Sequence, residues 1–330
     1  MYQPENYSWA LLFMLLSMTC WGSWANTMKL APRWPFQLFY WDYCGGVVLM
    51  SLAWGLTLGN LSGGATGFWT NLQQTDGRHV AFALLGGAVF NIANLLLVAA
   101  IELAGLAVAF PIGIGFALVV GVVLNYLLHP AGNPALLFGG VALVVVAILL
   151  DALAYKRREG AQRKVSTKGI LLSLACGVLM GTFYPLVVKA ETGRHGLEPY
   201  TVAFCFSLGV LLCAFPVNAL AMRYPITGGA AVTWAEYRRG RHVWHAIGLL
   251  GGAIWSTGMV LNLVAGAAHA VGPAVSYAIG QGATLISALW GVFVWREFAQ
   301  APAGARRLLP WMFACFVVGL CTVALAPLFP

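Results

Sequence analysis

Three polar side chains lie within or beside the first two apolar runs of the chain, where each could do chemistry inside a membrane. Asn26 and Lys29 end the run 8–29, and Asp42 lies inside the run 36–58. A charge at the centre of a bilayer costs about 2.5–3.5 kcal/mol on insertion scales, so such groups are retained mainly for a function. A buried carboxylate such as Asp42 could load and unload a proton. The alternative is a static ion pair between Asp42 and Lys29.

Carboxamide and aromatic side chains recur in the apolar runs. Amides supply paired donors and acceptors, which suit the edge of a ureide or pyrimidine, or the hydroxyls of a sugar. Aromatic rings could stack on a flat heterocycle in a site that is mostly apolar with a few placed polar groups. The residues that we predict to bind substrate are Trp21, Trp24, Asn26, Asn94, Trp255, Tyr277 and Gln281. Two structural roles compete with this prediction: interhelical hydrogen bonds for the amides and interfacial belts for the rings.

Other chemistries find no motif in the sequence. The apolar runs contain no HExxH, DxxxD or GxSxG pattern, so we expect no catalytic residues. His242 and His245 are spaced i, i+3 but have no third ligand near in sequence, so no metal site is predicted. The seven cysteines show no CxxC spacing. We therefore expect neither an enzyme nor a cofactor, and a proton gradient is the driving force to consider.

The composition places these side chains in membrane-spanning helices. Of the 330 residues, 60% are hydrophobic and 8% are charged, with a mean hydropathy of +0.81, whereas soluble domains are about 25% charged. About 20 apolar residues suffice to cross the hydrocarbon core. Such runs cover 8–29, 36–58, 79–101, 105–127, 134–155, 168–190, 199–221, 242–265, 270–293 and 308–327. We therefore predict an all-α integral membrane protein with ten transmembrane helices.

The distribution of Lys and Arg predicts the orientation in the membrane. An even number of spans puts both termini on one side, and loops rich in Lys and Arg stay in the cytoplasm. The loops that follow odd-numbered spans hold most of the 18 basic residues, and the opposite side holds only Arg78, Lys189 and Arg194. We therefore predict a multi-pass protein of the cell's inner or plasma membrane with both termini outside. The basic residues act as topology signals, so no nucleic-acid partner is predicted.

A short basic segment, 156–167, divides the chain into the halves 1–155 and 168–330, each with five predicted spans. Short motifs recur between the halves: GRHV at 77–80 and 240–243, GGA at 86–88 and 251–253, and WGSW at 21–24 with MGTF at 180–183. Because five is odd, the second half enters the membrane upside down. Inverted repeats are typical of secondary transporters, whose substrate site lies near the midplane between the repeats. We therefore predict a cytoplasmic linker between two inverted five-helix repeats.

Several segments resemble a known family. They are Trp21-Gly22-Ser23-Trp24 through Lys29-Leu30, Trp41-Asp42-Tyr43, Val122-Val123-Leu124-Asn125-Tyr126, and Leu289-Trp290-Gly291-Val292-Phe293 with Arg296-Glu297-Phe298. They look like the ureide permease branch of the drug/metabolite transporter superfamily, near the bacterial glucose/ribose and rhamnose porters. This resemblance covers essentially the whole chain. It implies ten helices in two inverted repeats and transport of small polar solutes such as cyclic ureides or nucleobases. It also implies a functional role for Asp42, which matches the family's Asp-Tyr pair.

The motifs and the resemblance lead to one functional hypothesis and two alternatives. The hypothesis is a secondary transporter that imports a small neutral polar solute of ureide or nucleobase type by alternating access, with proton symport through Asp42 as an option. The alternatives are a sugar porter of the glucose, ribose or rhamnose kind, and an exporter of drugs or metabolites. The expected partners are the solute and the lipid bilayer, and the expected assembly is a monomer or a homodimer.

Overall fold

The computed structural model describes residues 1–61, 67–159, 166–226, 230–268 and 271–329, and its described part is mainly helical. The long helices, numbered in chain order, are α1 Tyr7–Leu30, α2 Phe36–Leu56, α3 Gly77–Ala104, α4 Val108–Leu128, α5 Pro134–Glu159, α6 Thr167–Glu191, α7 Pro199–Arg223, α8 His242–Gly266, α9 Pro273–Val294 and α10 Ala303–Leu328. Two short helices, Phe68–Gln74 and Trp234–Arg238, lie before α3 and before α8. The predicted all-α class is confirmed.

Nine helices in the described ranges are long and apolar enough to cross a membrane. The long helix outside this group is α2, which has 21 residues. Its first half carries Tyr40, Trp41, Asp42 and Tyr43 in succession, and these polar and amphipathic side chains lower its mean hydropathy. The observed bounds of the long helices lie close to those of the predicted runs, while the count of ten spans stays a prediction.

The helices pack in matching pairs. α3 packs along α6 as α8 packs along α1, and α2 packs along α8 as α7 packs along α3. α4 contacts α6, and α9 contacts α1 in the same way, while α5 and α10 pack on each other. Each of these contacts therefore has an equivalent contact in which every helix is replaced by the helix five places away in the chain. Two similar five-helix units would pack in this way.

Glycine allows the closest of these helix contacts. Gly87 in α3 lies against the backbone carbonyl of Phe206 in α7, and Gly252 in α8 lies against the backbone carbonyl of Tyr43 in α2. A methyl group at either glycine would clash with a helix backbone, which cannot move aside as a flexible side chain can. The recurring GGA motif therefore makes the same contact in each half of the chain.

The looser sequence match between 21–24 and 180–183 is also a match in packing. Gly22 in α1 lies against the backbone carbonyl of Ala283 in α9, and Gly181 in α6 lies against that of Ala117 in α4. These four residues bring α1 against α9 and α6 against α4 at equivalent places. Trp24 and Phe183, which end the two motifs, therefore lie at equivalent places on equivalent helices.

α4 and α9 are entered through the same backbone turn. Gly105 has φ 82 and ψ 157, and Gly272 has φ 78 and ψ 159. This left-handed region is open to glycine at little steric cost. Each helix also contains a π-helical turn, at Pro111–Gly115 and at Trp290–Val294. Such turns loosen the regular hydrogen-bond ladder and occur often at functional sites.

The structure describes the two ends of the predicted linker 156–167. α5 continues to Glu159, and α6 begins at Thr167, where the side chain of Ser166 accepts a hydrogen bond from the backbone N–H of Gly169. Both ends of the predicted linker therefore belong to helices or their caps. The part of that prediction that falls on 160–165 lies outside the described residues.

Candidate binding site

Six aromatic rings meet where the matching helix pairs cross, and we call them the central aromatic cluster. Its members are Trp24, Tyr43, Phe90, Phe183, Phe206 and Trp255, from α1, α2, α3, α6, α7 and α8. The ring centroids of Phe90 and Trp255 lie 4.4 Å apart, and Trp255 stacks on Phe206 at 5.8 Å. Pairs at this separation gain about 0.5–1.5 kcal/mol beyond the burial of their area.

The cluster consists of two matching triplets. In one, Trp24 packs on Tyr43 at 4.7 Å and Tyr43 packs on Trp255 at 6.4 Å. In the other, Phe183 packs on Phe206 at 5.8 Å and Phe206 packs on Phe90 at 5.6 Å. The glycine contacts described above show that Tyr43 is equivalent to Phe206, and the matching motifs show that Trp24 is equivalent to Phe183. One triplet therefore carries polar N–H or O–H groups at every position, and the other carries none.

A group of polar side chains lies beside Tyr43 of the first triplet, and we call Tyr40, Tyr43, Asn91 and Asn94 the polar edge. The Tyr40 hydroxyl donates to Asn91 Oδ1 at 2.9 Å, and Asn94 Nδ2 lies 3.4 Å from the Tyr40 oxygen, to which it donates. Tyr40 and Tyr43 stack with centroids 5.3 Å apart. The Tyr43 hydroxyl is buried and makes no hydrogen bond with any described residue. An unpaired buried hydroxyl costs about 1–3 kcal/mol, so this group is suited to pair with a bound solute.

A cavity of about 290 Å³ lies between the ends of α2, α3 and α7 and leads toward the polar edge. Its lining includes Phe36, Leu95 and Glu102. The Phe36 ring packs on Tyr40 with centroids 5.2 Å apart, and Leu95 directly follows Asn94. The cavity therefore ends one aromatic ring away from the polar edge.

Three of the predicted substrate-binding residues, Trp24, Trp255 and Asn94, lie in the central aromatic cluster or at the polar edge. Trp21 stacks on Trp255 at 6.0 Å, and its Nε1 donates to the Trp255 carbonyl at 3.2 Å. Its polar group is thus used to hold α1 to α8, while its ring extends the cluster. Trp21 supports Trp255 from behind.

Asn26 is occupied by the protein itself. Its Oδ1 accepts from Trp295 Nε1 at 2.6 Å, and its Nδ2 donates to the carbonyls of Gly22 and Ser23. These bonds stabilise the 3₁₀ turn Trp24–Asn26 within α1 and join α1 to the end of α9. The structure therefore shows a structural role for Asn26, and its role in substrate binding stays a prediction.

Tyr277 and Gln281 belong to a different place in the fold from the polar edge. Tyr277 is fully buried, its hydroxyl donates to the carbonyls of Ala117 and Met180 at 3.3 Å each, and its ring packs on Phe183 at 6.4 Å. It therefore lies behind the phenylalanine triplet. Gln281 lies half-buried at the break between the two α-helical parts of α9.

Asp42 is buried, with 5% of its side chain exposed, and it has two partners. The Tyr237 hydroxyl donates to Oδ1 at 2.6 Å, and His245 Nδ1 lies 2.9 Å from Oδ1 and 3.0 Å from Oδ2. The Trp34 ring packs on both partners, with its centroid 6.1 Å from that of Tyr237 and 5.2 Å from that of His245. Burial and the adjacent carboxylate raise the pKa of Tyr237, which therefore stays protonated and donates. We call Asp42, Tyr237 and His245 the Asp42 group.

The predicted pairing of Lys29 with Asp42 is wrong. Lys29 Nζ lies 2.7 Å from Glu297 Oε1, and Glu297 Oε2 lies 3.1 Å from Arg158 Nη1 and accepts from the Tyr155 hydroxyl at 2.7 Å. The reason is topological: Lys29 lies at the end of α1, which packs against α9, whereas Asp42 faces α8. Burial by itself would raise the pKa of the Glu297 carboxyl, but the bonds from Lys29 and Tyr155 hold that pKa below its usual range.

Sequence reasoning missed several residues of the site. Tyr237 lies in a loop helix whose capping box, Thr233 with Glu236, could have revealed that helix but not its contact with Asp42. His245 could have been found, since it shares its helix with the recurring GRHV motif, yet its partner lies 203 positions away. Tyr43 is adjacent to Asp42 in sequence, and its unpaired hydroxyl became visible only in the folded chain.

Comparison with known proteins gives consistent results. A family model described as sugar transport protein matches residues 45–301. The chain is 26% identical to ureide permease 1 of Arabidopsis thaliana, covering 97% of each chain, and 25% identical to ureide permease 2 of the same plant, covering 96% of each. Ureide permease 4 of that plant is 24% identical, with 97% of each chain covered. One solved structure, described only as the crystal structure of a protein, superposes with a TM-score of 0.60 at 20% identity over 96% of both chains.

Proposed function

Within the family of sugar transport proteins, to which the chain belongs, we propose that it is a secondary transporter that imports a small neutral polar solute of ureide or nucleobase type. The resemblance to ureide permeases predicted from the sequence is confirmed by the full-length relatives. The chain is a multi-pass membrane transporter, and its class as a transporter, not an enzyme, follows from relatives that are named as permeases. The solute is our proposal.

The observation that carries the solute class is the polar edge beside the tryptophan and tyrosine triplet. A ureide or nucleobase is flat and carries alternating N–H donors and carbonyl acceptors. Trp24, Tyr43 and Trp255 supply rings for stacking, and Asn94 supplies an amide. The Tyr43 hydroxyl supplies a group to which no described residue bonds. The names of the relatives favour this class over sugars or exported drugs.

Alternating access between two inverted repeats, 1–155 and 168–330, is the mechanism that we propose. It is supported by the matching helix pairs, the matching glycine contacts and the matching turns at Gly105 and Gly272. Rocking of one unit on the other would open the central aromatic cluster first to the cavity between α2, α3 and α7 and then to the opposite end of the molecule. The basic loops favour an orientation with both termini outside, in an inner or plasma membrane.

The proposal also includes coupling of solute import to the movement of protons. Asp42 can hold a negative charge within the fold, because Tyr237 and His245 stabilise its ionised form by charge-assisted hydrogen bonds. His245 Nδ1 lies within hydrogen-bond distance of both Asp42 oxygens, so a proton can pass between the carboxyl group and the imidazole. Lys29 takes no part, since it pairs with Glu297.

The test is uptake into proteoliposomes of the full chain with allantoin, uracil and glucose, each with and without an inward pH gradient. We expect saturable uptake of allantoin or uracil, and competition between the two, with accumulation only when the gradient is present. Uptake of glucose alone would replace the ureide class with the sugar class. A protein that exchanges none of the three across the membrane would contradict the proposed solute.

A further inference from the structure

A second cavity, of about 450 Å³, lies at the end of α7 opposite to the Asp42 group. It is formed by the loop between α6 and α7 and by the short helix Phe68–Gln74. Asn71 in the short helix holds the loop in place: its Nδ2 donates to the Gly196 carbonyl at 3.2 Å, and its Oδ1 accepts from the Glu198 backbone N–H at 3.0 Å. We call it the Glu191 cavity.

Glu191 lines this cavity and has no partner among the described residues. Its Oε1 is buried and accepts no hydrogen bond, and the carboxylate makes no ion pair in the described part of the chain. Glu191 as a whole is half-buried, and no salt bridge among the described residues neutralises its charge. An ionised carboxylate with one buried oxygen and no partner is costly, which favours uptake of a proton.

The charged and titratable groups around Glu191 are held elsewhere or face the cavity. Glu198, Arg194 and His195 line the same cavity on the loop. His79 from the start of α3 and His129 from beyond the end of α4 both bond to Thr192, at 3.0 Å to its carbonyl and 3.1 Å to its hydroxyl. These two rings thus fix the residue next to Glu191 and leave the carboxylate to the cavity.

α6 connects Glu191 to the centre of the molecule. Tyr184 lies seven residues earlier, on the same face of the helix. Its ring packs on Tyr277 at 5.1 Å, and the adjacent Phe183 packs on Phe90 at 5.3 Å. A change of charge at Glu191 therefore acts on a helix that contributes directly to the central aromatic cluster.

We propose that the Glu191 cavity is the proton-loading site of this transporter, and that Glu191 takes up the proton that the Asp42 group releases at the other end. This proposal rests on proton-coupled transport as part of the proposed function. In the loading step the Glu191 carboxylate takes one proton from a hydronium ion in the cavity: one O–H bond of the hydronium ion breaks, one O–H bond to the carboxylate forms, and a water molecule is left. The neutral carboxyl can then be carried through the rearrangement of α6 without an unpaired charge in the membrane.

The test compares Glu191→Gln with Glu198→Gln, a matched change at an acid of the same cavity, in proteoliposomes of the full chain. Two assays separate coupling from solute binding: accumulation driven by an inward pH gradient, and exchange of labelled for unlabelled allantoin at equal pH. For Glu191→Gln we expect accumulation to fall to the level without a gradient while exchange continues. For Glu198→Gln and Glu191→Asp we expect both activities to persist.

A readout that does not depend on the solute is the infrared difference spectrum between low and high pH in the same membranes. We expect the wild type to lose a protonated-carboxyl band as the pH rises, and Glu191→Gln to lack that band. Gradient-driven accumulation by Glu191→Gln at the wild-type level would overturn the proposal, as would an unchanged infrared band. Loss of exchange in both Glu191→Gln and Glu191→Asp would also overturn it, because Glu191 would then be needed for binding or folding. Failure of the wild type to exchange allantoin would instead contradict the proposed solute, and the infrared comparison would still decide the proton site.

Discussion

The two triplets of the central aromatic cluster occupy equivalent positions but differ in chemistry. Trp24, Tyr43 and Trp255 carry N–H or O–H groups, whereas Phe183, Phe206 and Phe90 carry only apolar rings. The same difference extends one residue further: Asp42 precedes Tyr43, and Cys205 precedes Phe206.

This difference shows how a repeated fold builds an asymmetric site. Packing constrains both triplets in the same way, because equivalent helix pairs bring each of them together. A polar group is retained only where a ligand or a proton can use it, since an unpaired one costs stability. On the proposed function, the first triplet is the half of the centre that recognises the solute, and the second is its apolar wall.

The largest expected loss of stability tests whether the helices of the two halves pack in the same way. Gly252→Val and Gly87→Val should each cost about 1–3 kcal/mol or prevent folding, because either side chain would clash with the backbone of the neighbouring helix. Thermal unfolding in detergent, followed by tryptophan fluorescence, measures both. Gly139→Ala is the control, since nothing lies close to a methyl group there. A large loss at one glycine with none at the other would show that the two halves pack differently.

The next effect tests the difference between Asp42 and Cys205. Asp42→Asn should abolish accumulation driven by a pH gradient, because an amide cannot release a proton to His245. Cys205→Ala should leave accumulation nearly unchanged, since this buried thiol carries no charge in the mechanism. Uptake with and without the gradient measures both. An Asp42→Asn variant that still accumulated solute would remove Asp42 from proton coupling.

A smaller effect tests the hydroxyl that distinguishes Tyr43 from Phe206. Tyr43→Phe should weaken solute binding about 3- to 10-fold, the equivalent of one hydrogen bond, while the protein remains at least as stable. The reciprocal Phe206→Tyr should leave binding unchanged but destabilise the fold by about 1–3 kcal/mol through an unpaired hydroxyl. Binding curves and Tm values for both variants check this. Equal effects on binding would mean that both triplets contact the solute.

The smallest effect concerns the Lys29, Arg158 and Tyr155 cluster around Glu297. Because the pKa of Glu297 is lowered in the folded protein, its contribution is present above the carboxyl pKa of the unfolded chain and is lost as the pH falls through the folded value. The Glu297 side chain is partly exposed, so Glu297→Gln should cost less than about 1 kcal/mol. Tm measured from pH 7 down to acid should show the gap between wild type and variant closing. A gap that stays constant with pH would contradict the ionic origin.

Periodic and local features were predictable from the sequence. The apolar runs gave the helices, because length and hydropathy are properties of each segment alone. The GRHV, GGA and WGSW matches anticipated contacts that the fold repeats at Gly87 and Gly252 and at Gly22 and Gly181. Trp24, Trp255 and Asn94 were predicted because rings can stack on a flat solute and an amide inside an apolar helix needs a hydrogen-bond partner, and the structure places all three in or beside the central aromatic cluster.

Pairings between distant helices were not predictable in the same way. Lys29 and Asp42 are close in sequence and of opposite charge, yet α1 carries Lys29 to Glu297 and α8 carries His245 to Asp42. Asn26 has the right chemistry for a ligand but is taken up by Trp295. Which donor meets which acceptor depends on how the helices are rotated and stacked, and residue type carries no information about that.

The sequence by itself determined the membrane environment, the helices, the internal similarity and the transporter family, because these follow from hydropathy, spacing and motif. Only the tertiary structure decided that three polar aromatic residues face three phenylalanines across one centre. It also decided that Asp42 bonds to Tyr237 and His245, while Glu191 lies in its cavity without a partner in the part of the chain that the structure describes. The physical reason is that the state of a buried polar group is set by the partners that folding brings within hydrogen-bond distance.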